Sequence, residues 1–341
     1  TANASSKVSA FGIYNYIKVR EQFKIPLSKM EAIQEKFNNI IYNTWIIQSS
    51  VALTNDILDN GNSPAVLSAI MKQQTTERGR LALNEAMDIH AGASICIGYS
   101  NFLEKFYRGT PIGITVEGSN TLTRSLIIFG QGLNKSHPHI YKILDSVLNE
   151  DIDKFNKNFK AIVYHSLGLY FKSFWLGSNL ETQIVHFATL TNFVALKGGL
   201  LKKEQMLSGD MADIFSNIYL ALSVKYYHMN NNTSKLLTDY VIKRLMYENQ
   251  LKINKVIDNL GSERYLLQHL KKNVRDISYE DERRLFNEVM NNENIINEVK
   301  KNIYINNNIL EDLDKINKLD KDDPKYEILK NKIINVGEFQ N

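Results

Sequence analysis

An all-α fold is predicted for this sequence, and three observations support the prediction. No proline occurs between Pro138 and Pro324, and so long a gap favours helices over sheets. Apolar residues recur at helical spacing in most segments of the chain. Several of these segments end at glycine or asparagine, as helices commonly do. The predicted architecture is an antiparallel four-helix bundle over residues 1–135 and a second helical domain over residues 136–341.

The first helix is predicted over the segment SSKVSAFGIYNYIKVREQF, residues 5–23. It has the composition of a helix interior, with apolar side chains at Val8, Phe11, Tyr14 and Ile17. Little sequence precedes it that would start a domain. We therefore expect the chain to be a fragment whose first helix was cut.

Two long helices are predicted next. The first, beginning near Met30, carries one buried stripe, formed by Ile33, Phe37, Ile40, Ile41, Thr44, Trp45 and Gln48. It stops at Asp59–Asn60–Gly61, and Ser63–Pro64 starts the following helix, which ends at Ala91–Gly92.

Residues 99–117 are predicted to leave the helical pattern. In the segment PIGITVEGSN, residues 111–120, three apolar residues alternate with Gly113, Thr115 and Glu117. Such alternation is typical of a short extended piece. A further helix is predicted to begin near Ser119 or Asn120 and to end at Gly130.

The segment Ser136–His137–Pro138–His139 is the predicted domain boundary. Four helix-like segments follow it, within residues 151–260. The last forty residues are charged, rich in asparagine and weakly apolar, which predicts short surface helices or partial order.

Composition excludes several classes of function. The formal net charge is +4 and the basic residues are interspersed with acids, so nothing indicates binding to nucleic acid. The single cysteine, Cys96, excludes an internal disulfide and indicates a reducing compartment; between two isoleucines, it is expected to be buried. No apolar run has the length of a membrane span, and the N-terminus lacks a signal-peptide pattern. A soluble, cytoplasmic protein is expected.

The common cofactor and metal motifs are missing. The sequence has no G-x-G-x-x-G or G-x-x-x-x-G-K-[ST] segment, and no C-x-x-C or H-E-x-x-H segment. His137 and His139 supply two imidazoles with no further ligand at suitable spacing, so no metal site is predicted and a solvent-exposed turn is favoured. His90 is expected at a helix C-terminus, where the helix dipole favours its charged form.

Glu117 leaves two interpretations open. It can be a carboxylate at a helix N-terminus, stabilised by the helix dipole. It can also be a general base, because Ile114 and Val116 would form an apolar wall that raises the pKa of a carboxyl group. Gly118 would then allow a ligand to approach the backbone closely. A single base in a dry site suits removal of a carbon-bound proton next to a carbonyl.

Three segments in the same order resemble the acyl-CoA dehydrogenase family. VREQFKIPLSKMEAIQEKFNNI is similar to the family's R-x-x-F-G-x-P-I segment, AMDIHAGASICIG to its G-G helix end, and GTPIGITVEGSNTLTRSLIIFGQG to the stretch with the catalytic E-G. KSFWLG (172–177) and the segment 196–227 are similar to the extra C-terminal domain of the large bacterial members that act in fatty-acid β-oxidation. The resemblance covers roughly residues 7–270.

The resemblance implies a reaction and a cofactor. In the family, FAD takes a hydride from the β-carbon of an acyl-CoA while a glutamate removes the α-proton, which gives the trans-2-enoyl-CoA. Glu117 matches that glutamate, and its backbone N–H with a flavin ribityl hydroxyl would polarise the thioester carbonyl. Gly118 falls beside the substrate.

The implied FAD contacts come from three segments. Arg20, Gln22 and Phe23 match positions that touch the FAD of the neighbouring subunit; Asp88 and Gly92 match the adenine side; Ser119 and Thr121 match flavin contacts. Asp88 replaces the family's usual glutamine, Ala91 its first glycine, Lys24 a glycine and Ser119 a threonine.

The family's N-terminal helical domain and middle β-domain are absent from this sequence, so the chain alone should bind FAD poorly and have little activity. The resemblance implies acyl-CoA as substrate, an electron-transfer flavoprotein as acceptor and a homodimer formed through the bundle. In the whole protein, peripheral association with the inner face of the membrane is an added expectation. The alternative is a non-catalytic helical scaffold for dimerisation or for docking to a partner or membrane.

Overall fold

The computed structural model describes residues 1–174 and 179–334. The first part contains α1 (Ala2–Val19), α2 (Glu31–Asp59), α3 (Ala65–His90), α4 (Glu104–Thr115), α5 (Asn120–Leu122) and α6 (Gly132–Ser136). A π-helical stretch, Thr123–Gln131, joins α5 to α6 into one continuous helix, residues 120–136. The strands are the two-residue β1 (Glu21–Gln22) and β2 (Ile25–Pro26), which pair antiparallel.

The second part is also helical. Its elements are α7 (Ile140–Leu148), α8 (Ile152–Lys172), α9 (Leu180–Ala195), α10 (Gln205–Asn231), α11 (Lys235–Asp258), α12 (Arg264–Leu267), α13 (Tyr279–Asn291), α14 (Glu293–Lys300), α15 (Ile309–Ile316) and α16 (Pro324–Ile334). Short 3₁₀ helices occur at Leu27–Lys29, Ala91–Ser94, Gly198–Lys202 and Gln268–Leu270. The all-α prediction is confirmed. None of the described helices combines the length and apolar composition that a membrane span requires.

The bundle is organised around α2. Phe37, Ile40, Ile41 and Trp45 on its predicted stripe are at most 1% exposed. Polar contacts show the direction of α3 relative to α2. Lys36, in the first part of α2, binds Asp88 near the end of α3. Asn43, seven residues later in α2, accepts from Arg78 in the middle of α3 at 3.2 Å. The two helices therefore run antiparallel, as predicted.

Helix α10 connects the second part of the chain to the bundle. Gln48 Nε2 of α2 donates to the Tyr227 hydroxyl at 2.6 Å, and Thr54 of α2 shares a 2.7 Å hydrogen bond with Tyr219. The buried apolar side chains of both parts form one continuous core. The boundary at residues 136–139 stays a prediction.

An ion cluster holds the helix 120–136 against α10 and α11. The Arg124 guanidinium donates to both carboxylate oxygens of Asp213, at 2.7 Å each. Asp210, whose side chain is 6% exposed, accepts from Lys252 and Lys255 at 2.8 Å. Burial pushes the pKa of Asp210 upward, but the hydrogen bonds from these two lysines bring it below its usual range.

The prediction of an extended piece at residues 111–117 is wrong, because α4 continues to Thr115. Only residues 99–103 and 116–119 of this region are outside helices. The side of α4 that is turned towards the protein repeats at helical spacing, but small residues form much of it: Phe106, Gly109, Thr110, Gly113 and Ile114. A Cβ on Gly113 would lie 3.4 Å from Thr76 of α3. Small residues at a close helix contact thus produced a strand-like hydrophobic pattern.

Two smaller expectations also fail. Cys96 is exposed because its segment leaves the bundle surface, and the flanking Ile95 and Ile97 are 72% and 91% exposed. His90 does end α3, but it is only 2% exposed. Its ring packs between Tyr16 and Phe102, with centroid distances of 4.6 and 4.8 Å. Burial, assisted by the nearby Arg20, lowers the pKa of His90 to about 4, so the imidazole is neutral.

Replacing Arg124 tests the ion cluster. Arg124→Met should lower the free energy of unfolding by about 1–3 kcal/mol, because Asp213 loses two charge-assisted hydrogen bonds. Arg108→Met is the matched control, since Arg108 pairs with Glu104 on the helix surface and its side chain is 73% exposed; its effect should stay below about 0.5 kcal/mol. Urea unfolding gives both free energies of unfolding. Equal losses for the two variants would show that the ion cluster does not stabilise the fold.

Replacing His90 tests the buried neutral imidazole. Between pH 6.5, near the pKa of an unfolded histidine, and about 4, the unfolded chain binds a proton that folded His90 does not. Stability must therefore fall as the pH falls through this window. His90→Phe keeps the aromatic contacts and should reduce the slope near pH 5 by about 1.4 kcal/mol per pH unit. Urea unfolding at pH 8 supplies the reference, and an unchanged slope would refute the prediction.

Candidate functional site

Glu117 lies on a four-residue break between α4 and the helix 120–136. Its backbone has φ +55°, and Gly118 follows with φ +91°. Left-handed backbone is costly for a glutamate, and such strain is often kept where a side chain must point in a functional direction. The Glu117 carboxylate is exposed, and Val116 is 49% exposed. The apolar wall expected from Ile114 and Val116 is therefore not formed by the described residues.

Helix α3 holds this break in place. Lys72 Nζ donates to the carbonyl oxygen of Gly118 at 2.5 Å and to Asn120 Oδ1 at 2.7 Å. The Asn120 amide donates to Thr76 Oγ1 at 2.9 Å and to Glu77 Oε1 at 3.0 Å. Asn120 is only 5% exposed. The backbone that directly follows Glu117 is thus fixed to α3.

Sequence reasoning missed Lys72 and Asn120 as positioning residues. The only signal was the run KQQTTER at residues 72–78, which is unusually polar for a helix that packs in a bundle. It reveals a polar contact and does not identify the partner.

Ser119 and Thr121 lie directly after Gly118. Ser119 precedes the helix 120–136 and is half-buried, yet its side chain makes no capping hydrogen bond to that helix. Thr121 is exposed on the first turn. Both hydroxyl groups lie at the N-terminal end of the helix 120–136, next to the break that carries Glu117. These three candidate residues therefore lie together.

Arg20, Gln22 and Phe23 form a second group at the end of α1. Arg20 follows α1, and Gln22 is the last residue of β1, paired with Ile25 of β2 in a tight hairpin. Phe23 and Lys24 occupy the turn with φ +53° and +66°. Phe23 is 89% exposed. A large aromatic ring exposed at a hairpin tip is available to contact a ligand or a partner.

Asp88 and Gly92 lie at the neighbouring end of α3. Asp88 accepts from Lys36 at 2.8 Å, and this bond, with one to Glu85, raises the pKa of Lys36 to about 12. Gly92 is exposed, and a Cβ there would meet no atom within 4 Å. Ala91, where the family has a glycine, adopts φ +53°.

The two groups are far apart along α3. Thr76, next to the Glu117 break, and Asp88 are twelve residues apart in one helix, a rise of about 18 Å. One chain therefore presents two separate groups of candidate residues. Among residues 1–174 and 179–334, no cluster of three or more histidine, cysteine, aspartate or glutamate side chains is arranged to hold a metal ion.

Two family models match the chain. Residues 9–130 match "Acyl-CoA dehydrogenase, C-terminal domain", and residues 178–338 match "Acyl-CoA dehydrogenase, C-terminal, bacterial type". The first match contains both groups of candidate residues. The second begins just before α9.

Two solved structures are similar to this chain. An acyl-CoA dehydrogenase from Bacillus anthracis, complexed with FAD, is 19% identical with a TM-score of 0.67, over 86% of this chain and 54% of the relative. An acyl-CoA oxidase-1 from Caenorhabditis elegans, complexed with FAD and ATP, is 16% identical over 84% of this chain and 51% of its own. Its TM-score of 0.29 is too low to support a common fold.

The chain thus spans about half the length of these relatives. The similarity to the Bacillus structure supports a shared fold. Both family models belong to the family that the sequence motifs indicated, and the C-terminal domain model precedes the bacterial-type model along the chain. This chain belongs to the acyl-CoA dehydrogenase family.

Proposed function

We propose that this chain forms the C-terminal part of a flavin-dependent acyl-CoA dehydrogenase that oxidises acyl-CoA to trans-2-enoyl-CoA in fatty-acid β-oxidation. The observation that carries the proposal is the fixed, left-handed break at Glu117 and Gly118 inside the segment that matches the family. The left-handed backbone alone does not distinguish Glu117, because Glu150 shares it. What supports a catalytic role for Glu117 is that α3 anchors the adjoining Gly118 and Asn120, inside the segment that matches the family.

The residues at the ends of α1 and α3 suit FAD, the cofactor named for the Bacillus relative. The Arg20 guanidinium has the donor geometry that a pyrophosphate needs, and the exposed Phe23 ring offers a face for stacking on adenine. Gly92 leaves room for a ligand to approach the backbone. Asp88 fits less well, because it is already paired with Lys36 and carries the same charge as the cofactor.

The proposed chemistry assigns one proton to this chain. Glu117 removes the α-proton of the acyl-CoA, and its carboxylate becomes a carboxylic acid. Bound FAD would supply the hydride acceptor for the β-hydrogen. The Glu117 backbone N–H stabilises negative charge on the thioester oxygen as the proton leaves. Gly118 has no side chain to block the thioester, while Ser119 and Thr121 offer hydroxyl groups to the flavin.

A complete site requires more than this chain. Glu117 and Val116 are exposed, whereas a general base works best where water is excluded. We place the missing walls in the half of the Bacillus relative that this chain does not match. The 341-residue chain alone is therefore expected to show no turnover.

The partners follow from the same proposal. We propose an electron-transfer flavoprotein as acceptor, a homodimer formed through the bundle, and a cytoplasmic location. The homodimer is proposed from the family resemblance, in which Arg20 and Phe23 match positions that contact the FAD of the neighbouring subunit.

Glu117→Gln tests the base. In the complete gene product, flavin absorbance should bleach when a long-chain acyl-CoA is added. Glu117→Gln is nearly isosteric but cannot accept the proton, so bleaching should slow by a factor of about 10³ or more, with flavin content unchanged.

Glu150→Gln is the matched control, because Glu150 is also an exposed glutamate, with φ +53°. Its variant should bleach at the parental rate. Equal bleaching by the Glu117 variant would exclude Glu117 from the reaction. A gene product that binds no flavin would favour the helical scaffold.

Lys72→Met tests whether α3 positions Glu117. Losing the bonds to Gly118 and Asn120 loosens the break, and misplacement of a reacting group by about 1 Å can cost about 10²-fold in rate. The rate of flavin reduction should fall about tenfold or more, with the flavin content and the melting temperature retained. Lys72→Arg keeps the charge and should recover most of the rate. If Lys72→Met reacts at the parental rate, Lys72 has no positioning role.

A further inference from the structure

The helix 120–136 is anchored to two other helices of the protein. Its first residue, Asn120, binds α3. Four residues later, Arg124 binds α10 through two hydrogen bonds of 2.7 Å to Asp213. Helix α10 belongs to the segment that matches the bacterial-type family model. One helix thus links the Glu117 break to the second part of the chain.

The turn that carries Arg124 is in direct contact with the break. Thr123, the residue before Arg124, is 4% exposed, and its backbone N–H donates to the Ser119 carbonyl oxygen at 2.9 Å. A Cβ added to Gly118 would lie 3.4 Å from Thr123 Oγ1, so the Thr123 side chain packs beside the glycine that follows Glu117. A displacement of the Arg124 turn therefore moves the backbone next to the proposed base.

The Arg124 guanidinium lies against the backbone of α10. A Cβ added to Gly209 of α10 would lie 2.8 Å from Arg124 Cζ, which is too short for a contact between two carbon atoms. Any other residue at position 209 would push the guanidinium aside. The position of the helix 120–136 relative to α10 is therefore set by close packing as well as by charge.

Lysines of α11 hold the aspartates that Arg124 binds. Lys252 binds both Asp210 and Asp213 at 2.8 Å, and Lys255 binds Asp210 at 2.8 Å. The side chains of Asp210 and Asp213 are only 6% and 18% exposed, so solvent screens these ion pairs less than pairs on the surface. Because the lysines remain, removal of Arg124 breaks this anchor without leaving a buried carboxylate unpaired.

The helix has an unusual hydrogen-bond pattern where it meets α10. Thr123–Gln131, which includes Arg124, is a π-helical stretch of nine residues, longer than the single-turn bulges that π-helices mostly form. π-Helical segments are frequent at functional sites. The stretch begins directly after the turn that Asn120 fixes to α3, so the second anchor lies within it.

We propose that Arg124 is a positioning residue for the proton transfer assigned to Glu117, and that α10 and α11 hold the proposed base in place through it. This inference rests on the proposed function. With the α3 anchor alone, the helix 120–136 could tilt about its first residue. The bond to α10 supplies a second fixed point and removes this freedom. The bacterial-type region thereby acts on the rate of α-proton removal without contributing a group to the reaction.

The rate of flavin reduction in the complete gene product tests the proposal. At saturating acyl-CoA, Arg124→Met should reduce flavin about tenfold more slowly than the parent, since a displacement of less than about 1 Å is enough for such a loss. Flavin content and the Kd for acyl-CoA should stay within about twofold of the parental values. Arg124→Lys keeps the charge but not the two-point bond, so it should recover part of the rate.

Lys300→Met is the matched control for loss of stability. The Lys300–Asp314 pair joins α14 to α15 at 2.9 Å, with side chains 30% and 19% exposed, against 31% and 18% for Arg124 and Asp213. The control should lower the melting temperature to a similar extent but keep the parental rate, because α14 and α15 pack on α1. All rates are measured at a temperature where melting curves show every variant folded.

Two further variants assign the effect to the contact itself. Gly209→Ala displaces the guanidinium without removing a charge, and it should slow flavin reduction by about threefold or more. Gly168→Ala is its control, because a Cβ there would meet no atom within 4 Å, and it should react at the parental rate. The double variant Arg124→Met/Asp213→Asn should be no slower than Arg124→Met, because both changes remove the same contact.

The outcomes separate this proposal from the proposed function. If the parent reduces flavin and Glu117→Gln does so slowly, a parental rate for Arg124→Met would overturn the positioning role alone. Equal slowing by Lys300→Met, or loss of flavin from Arg124→Met in proportion to the loss of rate, would also overturn it. If the parent reduces no flavin, or Glu117→Gln reduces it at the parental rate, the proposed function fails and the positioning role fails with it.

Discussion

The candidate site depends on a short, strained break that is held in place between two helices. A glutamate with left-handed backbone has no helix to fix it, and the loop of residues 116–119 is too short to make its own core. Its position comes instead from α3, through the hydrogen bonds of Lys72 and Asn120. The proposed catalytic role of Glu117 requires rigid elements that position its loop, and the bundle supplies them.

The second part of the chain extends this support. The helix that follows the break carries Arg124, which binds Asp213 of α10 directly. Helix α10 in turn packs on α2 through Tyr219 and Tyr227. A path of hydrogen bonds and packed side chains therefore runs from the break through α10 to the centre of the bundle. This connection gives the bacterial-type C-terminal region a structural role in positioning the candidate site.

The sequence predicted the long helices well and the region before Glu117 poorly. On α2, large apolar side chains such as Phe37 and Trp45 repeat with a helical period, so pattern and burial agree. On α4, glycine and threonine occupy the packed face, and the exposed Ile112 carries the hydrophobic signal. Hydrophobic periodicity is therefore misleading where helices approach closely through small residues.

The candidate site shows the same division. Glu117 was identified from a motif, but its anchors Lys72 and Asn120 are 48 residues apart and meet only through the fold. His90 was expected to be charged at a helix end, and burial between Tyr16 and Phe102 makes it neutral. Neither effect follows from local sequence, because each depends on which helices become neighbours.

Removal of the α-proton by Glu117 is the central claim, and hydrogen exchange measures it most directly. An acyl-CoA with a quaternary β-carbon, such as 3,3-dimethylbutanoyl-CoA, has no β-hydrogen to transfer, so only the α-proton step remains. In deuterated water, the complete gene product should introduce deuterium at the α-carbon, and Glu117→Gln should do so at least about 10²-fold more slowly. Equal exchange by both proteins would contradict the account.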